Sequence, residues 1–393
     1  MKFTLKKNNQ TVLHGLFMFW LLSEYLFEYS IVSRVALLFF VAGSVLVVPK
    51  LQWPSLLTGY GLFALWSCVN IALGYAVRNS IAVPMTRTLF LNLLFLYAFI
   101  RYVRYTEDAG EILKIYQWTA VLFSVICLIG GTGQILSGQR LETWGINANS
   151  IAMLAAYALI LWTGELLNTM SKSRWMKASP FLLILLVTIL LTGSRKGILL
   201  VFLGIYILVC FRRPKKFLLY TLGIFLLTIA ALFLLLKVDF LYAVIGHRVE
   251  AVFGFLQGTE TSEASLNTRA GFMALAWISS QDSLIFGHGL DCFRTLRYSY
   301  GTYSHCNVLE ILYSLGWVGV CLYYAPHVWT LCRIPARRKE TPDYIPLATA
   351  LLISNMVCDF MNVTYFTRTS LMIPMLAMLL TVRGHVYEDS EAD

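Results

Sequence analysis

The sequence predicts an all-α protein that threads a membrane many times. Three observations carry this. First, 58% of the residues are hydrophobic and only 13% charged, about half the charge content of a typical soluble domain, and the mean hydropathy is +0.69. Second, apolar blocks of roughly 17 to 25 residues recur from end to end, each long enough as a helix to cross about 30 Å of hydrocarbon. Third, those blocks are continuous rather than alternating, which disfavours a membrane β-barrel.

The blocks give about twelve transmembrane helices, near residues 11–29, 31–48, 53–77, 84–103, 112–134, 148–169, 179–192, 197–211, 217–237, 306–330, 345–361 and 365–382. The first begins after "MKFTLKKNNQ". That start resembles a signal peptide, but no small-residue cleavage site closes it, so it reads as an uncleaved span. Three regions follow: residues 1–237 with spans one to nine, 238–305 as a long extracytoplasmic loop, and 306–393 with spans ten to twelve and a cytoplasmic tail.

A net charge of +10 invites a nucleic-acid reading, but the cations sit in short clusters between apolar blocks. That is the pattern of cytoplasmic loops under the positive-inside rule. Lys2, Lys6, Lys7, Lys50, Arg101, Arg104, Lys172, Arg174, Lys177, "RRPKK" at 212–216, "RIPARRK" at 333–339 and Arg383 all fall on one side if both termini are cytoplasmic. The acidic end "YEDSEAD" reads as a solvated tail. The eight cysteines show no CxxC or metal spacing and mostly lie within apolar blocks as small hydrophobes. Cys292 and Cys306 both fall outside, where a disulfide between them is conceivable.

Two features depart from this frame. "ILLTGSRKGILL" at 189–200 puts Arg195 and Lys196 on the outer face, where the positive-inside rule does not ask for cations. Lys196 reads as a snorkelling anchor. Arg195 reads either as another anchor or as a functional charge, since cations at membrane depth are costly. The second departure is the 68-residue segment 238–305, far longer than ordinary connections. "DFLYAVIGHRVEAVFGFL" has helical apolar spacing with Asp239 as a plausible cap, and "NTRAGFMALAWISS" opens on the capping residues Asn267 and Thr268. Both suit a lid along the outer membrane surface.

The outer side thereby collects Arg195, Arg269 and His305, separated by 74 and 36 residues. Arginine grips phosphate oxygens with a planar fork. Histidine titrates near neutrality and can take a proton from a hydroxyl. Two arginines and a histidine at a lipid–water boundary suit transfer of a sugar from a lipid diphosphate, whose leaving group is a weak base stabilised by cations. No Asp-x-Asp is present, so no metal and no other cofactor is expected. Each residue also has a bland reading: His305 as a cap of span ten, Arg269 as a lid surface charge. Gly287-His288-Gly289 reads as a tight turn, because a lone GxG is weak evidence for a phosphate loop. Gly316 and Gly319 read as helix-packing positions. Glu310 and Asp359 lie in outer halves of spans, lining a cavity or pairing with Arg87 or Arg368.

"SRKG", "RAGFMALAWISSQDSLIFGHGLDCF" and "SHCNVLEILYSLGWVG", in that order and preceded by "WGINANSIAML" at 144–154, resemble the blocks of the O-antigen ligase and polysaccharide polymerase superfamily. The resemblance covers roughly residues 140–330. It differs at one point: the family usually has Asn directly after the His, whereas here Cys306 intervenes before Asn307. The resemblance implies an inverting, metal-independent glycosyltransferase in the bacterial inner membrane, acting outside on an undecaprenyl-diphosphate-linked glycan. Arg195 and Arg269 would contact the pyrophosphate, and His305 would activate or orient the acceptor glycan, with Arg87, Asn307 and Glu310 as possible cavity-lining residues. The partners implied are the lipid donor, the acceptor glycan, the bilayer and other polysaccharide-assembly proteins, and no nucleic acid. A repeat-unit polymerase of a capsule or O-antigen-like polysaccharide is the first expectation, and a ligase to lipid A core (a lipopolysaccharide acceptor) the second. A lipid-glycan flippase or transporter is the rival from another class. It is disfavoured because the two halves show no internal similarity and the polar residues gather on one side.

Overall fold

The structure is a computed structural model. It describes residues 2–382 except 29, 49–52, 107, 170, 213, 240–241, 258–263 and 338–342. The expected cations Lys50, Arg213, Arg338, Lys339 and Arg383 and the acidic tail lie outside those residues. The described chain is helical, with no strand. Fifteen α-helices follow in order: α1 Lys2–Leu26, α2 Ile31–Val47, α3 Thr58–Ala72, α4 Asn79–Tyr105, α5 Ala109–Gly130, α6 Thr132–Leu136, α7 Ala148–Thr169, α8 Lys172–Leu191, α9 Arg195–Arg212, α10 Phe217–Lys237, α11 His247–Leu256, α12 Ala264–Ser280, α13 Asn307–Arg337, α14 Ile345–Cys358 and α15 Arg368–Val382.

Each of the twelve expected spans falls on a helix. Seven of these helices are long and apolar enough to cross a membrane by length and composition, and α2, α14 and α15 are shorter apolar helices. The protein is therefore an all-α, multi-pass membrane protein.

The chain forms two compact units. The first comprises Met1–Gly43, Thr106–Glu263 and Pro342–Ser354. Its centre is α7, whose residues Ala148 to Leu161 are nearly all buried, as expected of a helix that is apolar all round. Small residues let α9 approach it: a Cβ on Gly197 would stand 2.7 Å from that of Ala152, and one on Gly204 would collide with Ile160. Trp118 of α5 and Phe181 of α8 pack edge to face at 4.7 Å, closing the bundle.

The second unit comprises Ser44–Tyr105, Ala264–Thr341 and Asn355–Asp393. In it α3 lies along α13, with Tyr60, Phe63, Tyr323 and His327 in mutual ring contact. Arg101, counted above among the cytoplasmic cations, is buried at 5% exposure. Its guanidinium donates to the carbonyls of Val45 and Val48, satisfying backbone acceptors left open at the end of α2.

The described residues of the long segment after α10 are largely helical. Residues 242–246 form a π turn that leads into α11, so the first expected stretch is helical where it is described. The second begins at Ala264 rather than at Asn267 and Thr268, which lie within the helix instead of capping it. All eight cysteines are free, including Cys292 and Cys306.

Candidate functional site

The "TGSRKG" stretch is the junction between α8 and α9, within the first unit. Gly193 takes φ +58° to turn the chain. Ser194 caps α9, accepting from Gly197 N at 3.3 Å, and its hydroxyl donates to Asn149 Oδ1 at 2.8 Å. Asn149 belongs to the "WGINANS" segment, where Asn147 caps α7 by accepting from Asn149 N at 2.8 Å. The two resembling blocks therefore meet through one hydrogen bond. Arg195, the first residue of α9, is half-buried and donates from Nη1 to the carbonyl of Arg248 at 3.2 Å. Lys196 does not snorkel: it is buried at 5% exposure, because Gly197 draws this end of α9 against α7 and encloses its neighbour.

Arg269 and His305 belong to the second unit. Arg269, Phe272 and Ala276 share one face of α12, with Phe272 and Ala276 buried among Ala82, Cys292, Phe293 and Tyr313. The His305 ring stacks on Phe272 at 5.8 Å and 15°, one turn from Arg269 on the same face, and Tyr303 flanks it at 4.5 Å. His305 itself is half-buried and adopts φ +62°, a left-handed conformation rare for residues with a side chain and frequent at functional sites.

The neighbours of His305 hold that conformation. The Ser304 hydroxyl donates to the carbonyl of Cys306 at 3.0 Å. Ser304 N donates to Glu310 Oε2 at 2.7 Å, so the buried carboxylate anchors the residue before His305. Asn307, fully buried, uses its whole amide: Oδ1 accepts from Thr364 N at 2.8 Å and Tyr365 N at 3.1 Å, and Nδ2 donates to Tyr324 Oη at 3.0 Å. The Tyr324 hydroxyl donates to Asp359 Oδ2 at 2.8 Å, and Thr364 to Asp359 Oδ1 at 2.7 Å. Glu310 and Asp359 thus take their hydrogen bonds from neutral groups rather than from Arg87, which lies exposed on α4.

Gly287-His288-Gly289 is a tight turn. Its three amides donate to Ser283 O, Tyr313 O and Ser314 O at 2.8, 2.9 and 2.8 Å, leaving none of them for a phosphate. The turn presses on a break in α13 at Gly316, whose φ/ψ of 66° and −170° are non-helical. Gly316 therefore serves a backbone break that admits Ile285 and Phe286, not the packing of two helices. The Asp291 carboxyl, paired with Arg294 at 2.7 Å, is nonetheless held above the usual range by burial. Among the described residues, no three His, Cys, Asp or Glu side chains gather closely enough to hold a metal ion.

Sequence reasoning missed Phe272 and Tyr303 as ring partners of His305, although Phe272 is readable as the i+3 neighbour of Arg269. It also missed Arg248 beside Arg195, for which no local signal exists.

Residues 180–324 match the model of the family described as O-Antigen ligase. That stretch holds Arg195, Arg269 and His305, and it bears out the resemblance to the O-antigen ligase and polymerase superfamily. No curated relative matches the chain. The family supports a membrane enzyme of glycosyltransferase type, with glycan substrates and a bilayer around it.

Proposed function

We propose that the protein transfers a glycan from undecaprenyl diphosphate to an acceptor hydroxyl at the extracytoplasmic face of the inner membrane, with both termini in the cytoplasm. The observation that carries this reading is the His305 ring seated on the α12 face that also bears Arg269, within the family-matched stretch. In the reaction the acceptor oxygen attacks the anomeric carbon and its proton passes to His305. The bond from that carbon to the diphosphate oxygen breaks, and its electron pair leaves with the lipid diphosphate. A single displacement inverts the anomeric centre. Arg195 and Arg269 stabilise the charge that develops on the leaving group. Because this group is a weak base, neither a metal nor an acid is required.

The first reading is the repeat-unit polymerase of a surface polysaccharide, which works beside other assembly proteins. The second is the ligase, the activity for which the matched family, O-Antigen ligase, is named. Both use the same donor and differ in acceptor. Glycan mass spectrometry of a deletion strain separates them: single repeats still attached to the acceptor mean polymerase, and long free lipid-linked chains mean ligase. The general reading is tested with detergent-solubilised protein and lipid-linked glycan in EDTA. Conversion without a gradient is expected, and its loss in Arg195→Ala, Arg269→Ala and His305→Ala. No conversion with any acceptor would favour a transporter.

A further inference from the structure

The first unit holds a cavity of about 370 Å³ whose polar lining is Gln134, Gln139, Arg140, Glu142, His247 and Arg248, and the carbonyl of Arg248 accepts from Arg195. None of the lining residues belongs to the resembling blocks, and the mechanism above does not use them. We infer that this cavity is the subsite for the glycan of the lipid-linked donor, and the inference rests on the reading of Arg195 as a diphosphate ligand.

The lining argues for a sugar over other parts of the substrate. It mixes two guanidinium groups, an imidazole, two amides and a carboxylate, so an acyl chain would bury polar groups without partners. A bare anion would meet the Glu142 carboxylate, which lies 3.5 Å from Arg140. A ring of hydroxyls suits both, because each hydroxyl donates to the carboxylate or amide oxygen and accepts from the guanidinium groups. The volume lies within the range of small-ligand pockets, about 300–1,000 Å³.

The walls are braced. Gln134 clamps Glu142 from both sides, accepting from its N–H and donating to its carbonyl, each at 3.1 Å. Leu141 N donates to Leu191 O at 2.8 Å, tying that wall to the end of α8. On the facing wall, His247 Nδ1 bonds the carbonyl of Tyr242 at 3.1 Å. The link to the proposed diphosphate site runs through Arg248, which lines the cavity and whose carbonyl accepts from Arg195 at 3.2 Å. A diphosphate on Arg195 would stand one residue away from the lining of this cavity.

The test compares two probes on the full-length protein in detergent: undecaprenyl diphosphate, and the lipid-linked glycan that accumulates in a deletion strain. Arg140→Ala removes a donor, and Ala243→Trp fills the cavity from a position already exposed. Both should weaken binding of the glycan lipid by about tenfold or more and leave undecaprenyl diphosphate unchanged. Arg195→Ala should weaken both probes. Equal losses for both probes in the cavity variants, or no loss for either, would overturn the subsite. No effect of Arg195→Ala on either probe would instead overturn the diphosphate reading, while the cavity variants still report on the sugar.

Discussion

Asn307 follows the candidate histidine by two residues, and its role can be decided by one substitution. In the structure its amide oxygen accepts from Thr364 N and Tyr365 N, at 2.8 and 3.1 Å, and both of those residues are buried at 1% exposure. Asn307→Ala would leave two buried N–H groups without an acceptor. Each orphan costs about 1–3 kcal/mol, so the loss is about 2–6 kcal/mol. An unfolded chain in lipid also finds partners for its polar groups, which favours the lower half of that range. Set against a total stability of about 5–15 kcal/mol, even the lower half would register as a clear drop in thermal resistance. The assay is heat challenge of the detergent-solubilised protein followed by size-exclusion chromatography, alongside turnover measured well below the melting temperature. The expectation is a lowered melting temperature with residual turnover. A variant that melts like the wild type yet has lost turnover would refute the argument and place Asn307 against substrate.

Four further outcomes follow from the same geometry. Glu310→Gln keeps an acceptor for Ser304 N and should retain activity within a few-fold, whereas Glu310→Ala should lose most of it; equal loss in both would mean that the charge, not the anchor, matters. Phe272→Leu removes the ring stacked on His305 while nearly preserving volume. Turnover should fall about two- to twelvefold at a stability change within about 1.5 kcal/mol, and unaltered turnover would show that the stack positions nothing. Gly316→Ala adds a Cβ against the carbonyl of Ile285 at a φ of +66°, so the yield of monodisperse protein should drop sharply; an unchanged yield and melting temperature would contradict the break in α13. Cys292 and Cys306 are buried at 0% and 1% exposure, so neither should react with maleimide in the folded protein, and fast labelling of either by mass spectrometry would refute its enclosure.

The spans were legible because lipid-crossing helices advertise themselves as continuous apolar runs, and each expected run lies on a helix. What was not legible depends on neighbours distant in sequence. Lys196 looked like an interfacial anchor because hydropathy cannot see that Gly197 brings α9 so close to α7 that a Cβ there would stand 2.7 Å from that of Ala152. Glu310 read as a cavity-lining residue or a partner of Arg87 or Arg368. Neither reading sees that α13 begins at Asn307 and that the chain before it folds back to give Ser304 N to the carboxylate. Gly316 was read by the small-residue rule for helix pairs. Its positive φ, which no local pattern announces, makes it a break that receives a loop. Of the candidate site, the identities of Arg195, Arg269 and His305 came from residue chemistry and block order, while the aromatic seat of His305 needed the fold.

The arrangement around His305 accounts for the position of its ring on α12, which the proposed reaction requires. A left-handed residue with a side chain carries strain of roughly 1–3 kcal/mol and persists only when its surroundings over-determine it. Here the polar groups next to it in sequence are committed to that task. Ser304 is fixed by Glu310 and by Cys306 O, and Asn307 is fixed by three bonds to Thr364, Tyr365 and Tyr324. Those bonds lock the chain on both sides of position 305 and turn the imidazole out of the α13 register onto Phe272. The departure from the usual spacing, with Cys306 between the histidine and the asparagine, fits this division of labour. Asn307 opens α13 as a structural knot, and the extra residue lets His305 stand clear of it.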